Sequence, residues 1–178
     1  QPTPGIAARI VHPETQAPLP TGEEGLLLIK GPNVMKGYLN QPEKTAAVLR
    51  DGWYNTGDIA RIDDQGYVFL TGRLSRFSKI GGEMIPHGAV EEALQQASGT
   101  DEPCVAVISK PCENKGEQLV VCYTDQAGDP EALVADLKDR NLPNLWIPRL
   151  SNFIRIPELP ILGTGKLDLN TLNTLVNA

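Results

Sequence analysis

The stretch Gly72-Arg73-Leu74-Ser75-Arg76-Phe77-Ser78-Lys79-Ile80-Gly81-Gly82-Glu83 separates two kinds of sequence. Upstream, short β-branched and apolar runs alternate with turn residues. Downstream, helical spacing appears between strand-like runs. The stretch itself reads as a hairpin about Gly81-Gly82, and its plainest reading is a basic, solvated turn. Two successive glycines, however, let backbone approach a ligand closely. Arg73, Arg76 and Lys79 also place three cations within seven residues of a chain whose net charge is −6, which makes a local positive patch. The dinucleotide fingerprint GxGxxG is absent, and a glycine pair alone is a weak signal. The expected fold class is α+β, with a β-rich N-terminal subdomain over 1–72 and a small α+β domain over 73–178. No Gly/Ser tract lies at the seam, so if the units move relative to each other they do so about a compact hinge.

Upstream of the seam, Ile6 to Val11, Gly25 to Lys30, Ile59 to Ile62 and Tyr67 to Leu70 read as strands. Turn chemistry at Pro20-Thr21-Gly22, Gly31-Pro32-Asn33 and Asp63-Asp64-Gln65-Gly66 sets them off, and the last two runs form a predicted hairpin. Pro42 to Leu49 reads as a short helix with proline in its first turn. Downstream, Pro86 to Ala97 puts Val90, Leu94 and Ala97 on one face, and Pro130 to Arg140 sets Leu133 and Leu137 four apart. Cys104 to Ser109 and Gln118 to Tyr123 read as strands around a polar loop, Pro111 to Glu117. Phe153 to Ile156 is a further strand, Pro160 to Gly165 a loop and Leu169 to Val176 a closing helix.

Composition excludes several function classes. An acidic chain lacks the basic surface of a non-specific nucleic-acid binder. Its apolar runs, such as Gly25-Leu26-Leu27-Leu28-Ile29, are too short to cross a bilayer. Gln1-Pro2-Thr3-Pro4 shows no signal-peptide pattern. Three cysteines, Cys104, Cys112 and Cys122, have neither disulfide-framework nor zinc spacing and fit a reducing cytoplasm. Neither His12 nor His87 has partners at ligand or triad spacing, and both are expected at the surface. No GxSxG elbow or HExxH helix occurs.

Two further motifs stand out. In Tyr54-Asn55-Thr56-Gly57-Asp58, the plain reading is a turn bonded to its own backbone. The functional one uses Asp58 as a two-acceptor carboxylate for adjacent ribose hydroxyls. Gly163-Thr164-Gly165-Lys166 is no phosphate-cradling GxxxxGK[ST] loop, because Pro160 and Leu167 stand where Gly and Ser or Thr are required. Lys166 is then either an ordinary exposed lysine or a cation that a mobile loop delivers to developing negative charge.

Four stretches in this order resemble the adenylate-forming superfamily of acyl-CoA synthetases, luciferases and peptide-synthetase adenylation domains. They are Gly31 through Thr45, Trp53 through Asp58, Gly72 through Glu83, and Leu159 through Asp168. Arg76 through Ile85 is most similar to one branch, the acyl-[acyl-carrier-protein] synthetase half of bifunctional 2-acylglycerophosphoethanolamine acyltransferases. The resemblance implies that 1–72 is a distorted-barrel part of a large adenylation domain and that 73–178 is a mobile lid. It further implies that ATP and a fatty acid give an acyl-adenylate and pyrophosphate. The phosphopantetheine thiol of an acyl carrier protein, or coenzyme A, then takes the acyl group.

On the same resemblance, Asp58 would hold the ribose hydroxyls and Arg73 would sit near ribose and phosphate. Lys166 would contact the carboxylate and α-phosphate. Lys79, Ile80, Gly81, Gly82 and Glu83 would line the pantetheine channel after a domain rotation. Ser75 stands where the family has Asp or Lys as hinge. Mg2+ is expected with ATP, without ligands identifiable in this sequence. The family's Ser/Thr/Gly-rich phosphate loop and Tyr-Gly-x-Thr-Glu segment are not in the sequence. The chain is therefore expected to be the C-terminal part of a longer enzyme and inactive alone, with the N-terminal adenylation region as its partner. A cytoplasmic location is expected, at the inner face of a bacterial membrane only through regions outside this sequence. Two alternatives stand beside this reading: part of a fatty-acid CoA ligase, and a non-enzymatic carrier-protein-binding module.

Overall fold

Strands form where β-branched runs meet turn chemistry, and β4 shows how the two combine. The computed structural model describes residues 1–177 and divides into units of 1–75 and 76 onward. In the first unit, β1 (Ala7–Val11), β2 (Gly25–Lys30), β3 (Leu49–Arg50), β4 (Trp53–Ile62) and β5 (Val68–Arg73) form one antiparallel sheet. Helix α1 (Pro42–Val48) precedes β3 and starts on proline, whose missing N–H costs nothing there. Strand β4 is the centre of the sheet and pairs with β2, β3 and β5. The Tyr54–Asp58 segment, read as a turn ahead of the hairpin, lies within β4 instead. Opposite it the β2 register skips between Leu26 and Leu28, so turn residues are accommodated as a bulge. Alternation puts Ile10, Leu27 and Ala60 in one apolar cluster and Val11, Leu26 and Leu28 in another.

The second unit begins with the hairpin of β6 (Phe77–Ile80) and β7 (Glu83–Pro86), followed by α2 (His87–Ser98). Then come β8 (Val105–Cys112), β9 (Gly116–Tyr123), α3 (Pro130–Asp139), β10 (Phe153–Arg155) and α4 (Leu169–Asn177). The sheet runs β10-β9-β6-β7 with β8 also on β9, and β10 is parallel to β9. The polar loop expected over Pro111–Glu117 shrinks to a tight turn, because the ladder continues to Cys112↔Gly116.

Both faces of this sheet are covered, which explains the unbroken apolar runs of β8 and β9. Val105, Val107, Leu119 and Val121 join Val90 and Leu94 of α2 and Leu133 and Leu137 of α3 on one face. Ala106, Ile108, Val120 and Cys122 meet Ile156, Leu159 and Leu172 on the other. Helix α2 ends on Gly99 in the left-handed region at φ 68. Helix α3 is capped by Asp129, whose side chain accepts the Glu131 N–H. Among the described residues no helix is long and apolar enough to cross a membrane.

Candidate functional site

In the first unit the β4 bulge builds a small polar centre from local bonds. Asn55 Oδ1 accepts the Gly57 N–H at 2.9 Å, and Gly57 takes φ 72. Thr56 Oγ1 donates to Leu27 O at 3.0 Å and accepts the Asp58 N–H at 3.0 Å. The strand thereby turns Asp58 toward Arg73, its register partner on β5. Arg73 Nε lies 2.7 Å from Asp58 Oδ1, and its Nη1 donates to Thr56 O at 3.3 Å. Tyr54 stands close by. A hydrogen bond with Tyr38 is the main cause raising its phenol pKa, with burial next. Sequence reasoning does not single out Asn55, Tyr54 or Tyr38; only the turn propensity around Gly57 hints at Asn55.

In the second unit the 79–83 segment is the tip of the β6–β7 hairpin. Gly81 and Gly82 have φ 60 and 91, the mirror-image turn that two-residue hairpins favour and that needs glycine. Lys79, Gly81, Gly82 and Glu83 are exposed. Ile80 is 5% exposed and packs in the core. A cavity of about 150 Å³ opens beside the hairpin, lined by Ile80, Lys115, Glu117, Asn144, Leu145 and Arg149 among others.

Ser75 is exposed within the 3-10 turn Leu74–Arg76. The next residue is tightly held. Arg76 pairs with Glu91 and donates to Val107 O at 3.0 Å, while Glu91 Oε1 accepts the Val107 N–H at 2.7 Å. Two of the three cations of the sequence patch, Arg73 and Arg76, are thus neutralised by carboxylates.

Lys166 is exposed on a tight turn. Leu162 O accepts the Gly165 N–H at 2.8 Å, Leu162 N–H reaches Lys166 O at 2.8 Å, and Gly165 adopts φ 80. Asp168 closes the turn by donating its N–H to Pro160 O at 2.8 Å. Its carboxylate also caps α4, accepting the N–H groups of Asn170 at 3.1 Å and Thr171 at 3.2 Å and the Thr171 hydroxyl at 2.8 Å. The bonds from Thr171 hold the Asp168 carboxyl below its ordinary range.

His87 is a correction. Expected at the surface, it is 3% exposed, with Nε2 2.6 Å from Ser78 Oγ. Burial, then the nearby Arg76 charge, lowers its pKa to about 4. Among the described residues no group of three His, Cys, Asp or Glu is placed to hold a metal ion.

Several known proteins are similar to this chain. Residues 1–39 match the AMP-binding enzyme family. The chain is 41% identical over 153 residues to feruloyl-CoA synthase of Amycolatopsis sp, covering 84% of this chain and 30% of that protein. It is 37% identical over 169 residues to a long-chain-fatty-acid–CoA ligase of Bacillus subtilis (strain 168), covering 93% and 29%. ATP-bound MatB from Rhodopseudomonas palustris superposes with a TM-score of 0.76 at 32% identity, over 97% of this chain and 34% of that one. The chain is a homologue of the adenylate-forming enzymes of the AMP-binding family, and its α+β fold with curled sheets is that of their C-terminal domain. Acyl-CoA ligases are among its relatives, and it spans about three-tenths of the length of these two curated proteins.

Proposed function

We propose that this chain is the C-terminal portion of an AMP-forming ligase that activates a carboxylic acid, of the fatty-acid class, and passes the acyl group to a pantetheine thiol. The reading rests above all on the Asp58–Arg73 pair, a carboxylate and a guanidinium set 2.7 Å apart by a strand bulge. Bulges beside such pairs commonly re-aim functional side chains. Asp58 would accept from the two ribose hydroxyls of ATP while Arg73 faces the ribose and phosphate. Lys166 would meet the carboxylate as it attacks the α-phosphate. Negative charge grows there in the transition state, so a positioned cation stabilises that state more than the ground state. Pyrophosphate leaves, the thiol then attacks the acyl carbonyl, and AMP leaves.

The exposed turn Gly81-Gly82 with Lys79, Ile80 and Glu83 would border the thiol's path, and Ser75 would absorb the rotation that exchanges it for Lys166. Mg2+ is expected with ATP. The described residues offer no set of ligands for it, and no step is assigned to it.

For the acceptor, coenzyme A is favoured. The Amycolatopsis and Bacillus relatives are named as a CoA synthase and a CoA ligase, and carboxylates occupy two cations that an acidic carrier protein would need. The cavity beside the hairpin, with Lys115 and Arg149 in its wall, suits a free phosphorylated thiol. The second reading is an acyl carrier protein, favoured by the sequence of Arg76 through Ile85. It would carry with it a linked acyltransferase acting in phospholipid metabolism.

The test uses the full-length parent enzyme with a panel of fatty and aryl acids, coenzyme A and a phosphopantetheinylated carrier protein. Acid-dependent pyrophosphate exchange with thioester formed on coenzyme A is the expected result. Thioester on the carrier protein alone selects the second reading. No exchange with any acid overturns the ligase reading and leaves the binding-module alternative. The 178-residue chain by itself is expected to show no exchange.

A further inference from the structure

The β6–β7 hairpin is joined to the rest of its sheet by little backbone. Strand β6 meets β9 at the single register pair Ile80↔Gly116, and Gly81 N–H donates to Lys115 O at 3.1 Å. Side chains add further ties. Glu117 accepts the Lys79 N–H at 2.6 Å and the Ser109 hydroxyl at 2.8 Å. Another tie is internal. Ser78 alternates with exposed Lys79, so it faces inward, where it is fully buried. There its Oγ lies 2.6 Å from Nε2 of His87, the first residue of α2.

This arrangement carries a cost. His87 Nδ1 is buried with no partner among the described residues, and a buried polar atom without a hydrogen bond is destabilising. An apolar pair would serve simple packing as well. A hydrolytic dyad is also ruled out, because Ser78 has no exposed surface for a substrate to reach. What the bond does supply is direction: it fixes the strand carrying Gly81-Gly82 against the start of α2.

We propose that Ser78 and His87 are positioning residues whose hydrogen bond sets the pose of the 79–83 turn for acylation of the acceptor thiol. This rests on the reading that the turn borders the thiol's path. Without the bond, β6 loses its polar tie to the start of α2 while its bridge to β9, the Glu117 contact and the core packing of Ile80 and Ile85 remain, so the turn shifts its pose rather than coming loose. Small displacements of a reacting geometry are costly in rate, up to roughly a hundredfold for about 1 Å.

The experiment separates the two half-reactions in the full-length enzyme, with pyrophosphate exchange reporting adenylation and thioester formation measured from supplied acyl-adenylate. Ser78→Ala and His87→Phe are expected to lower kcat for thioester formation about tenfold while pyrophosphate exchange stays within about twofold. Ser78→Thr and His87→Gln, which keep a hydrogen-bonding group at each position, are expected to recover most of the rate. Ser78→Ala deletes one oxygen and carries the test alone if His87→Phe does not fold. Wild-type thioester rates in Ser78→Ala, or equal loss in both half-reactions, overturn the positioning role. Wild-type enzyme that performs neither half-reaction overturns the functional reading, and this proposal with it.

Discussion

Asp58 and Arg73 face each other across β4 and β5 and close an ion pair through Oδ1 and Nε. The guanidinium is 63% exposed, so the pair adds ~1 kcal/mol or less to stability. Its value is geometric. Asp58→Asn in the parent enzyme is expected to raise KM for ATP about tenfold, the size of a hydrogen bond to a charged group, with little change in the unfolding midpoint. Steady-state titration with ATP checks it, and an unchanged KM would remove Asp58 from the nucleotide site.

Lys166 lies on an exposed turn whose bonds are all made by backbone, so Lys166→Ala should leave the fold intact. Adenylation is expected to fall on the order of 10²–10³-fold, by analogy with removal of one oxyanion donor. Thioester formation from supplied acyl-adenylate is expected to persist. Single-turnover measurement of each half-reaction decides it, and parallel losses contradict the assigned role.

Gly82 sits at φ 91 with open space where a Cβ would project. Gly82→Ala therefore places its Cβ in open space, but it forces an L-residue into the left-handed region at about 1–2 kcal/mol. The expected outcome is a modest fall in urea midpoint together with a larger fall in thioester formation than in adenylation.

His87 makes the second unit sensitive to acid. Its pKa falls from 6.5 to about 4 in the fold, so between those values the folded chain binds fewer protons than the unfolded one. Stability is full above about pH 6.5 and is lost as the pH falls toward 4, by about 3 kcal/mol at most. Urea midpoints followed from neutral to acid pH should fall more steeply for wild type than for His87→Gln. Parallel curves would show that His87 is not the titrating group.

Glu91 pairs with Arg76, and between them they bind both backbone groups of Val107, Glu91 the N–H and Arg76 the carbonyl. Both side chains are about four-fifths buried, at 20% and 18% exposure. Glu91→Gln is expected to cost about 2–3 kcal/mol, because it leaves a largely buried guanidinium without its counter-charge. Chemical denaturation of the chain measures this directly.

The regular elements were legible because their burial writes a period into the sequence. Sheet burial on both faces made β8 and β9 continuous apolar runs, and the spacing of Val90 with Leu94 and of Leu133 with Leu137 marked α2 and α3. The misreadings share a cause. Asn55-Thr56-Gly57 has the composition of a turn and uses that chemistry, but inside a ladder whose partner strand lies some thirty residues upstream. His87 and Arg76 looked solvated because Ser78 and Glu91, which bury and pair them, come together only once the hairpin and α2 are folded. Nothing local fixes a role for Asp58, Arg73 or Lys166, so their proposed roles come from the order of four motifs.

One residue, Asp168, closes the lysine-bearing turn with its backbone N–H and caps the final helix with its carboxylate, and Leu172 of that helix is fully buried against Ile156 and Leu159. The chain's last described helix is therefore part of the mount for Lys166 rather than a spare tail. Shortening it for crystallisation, or fusing an affinity tag tightly against it, alters the support of that ammonium group some two residues before the cap, without touching the side chain itself.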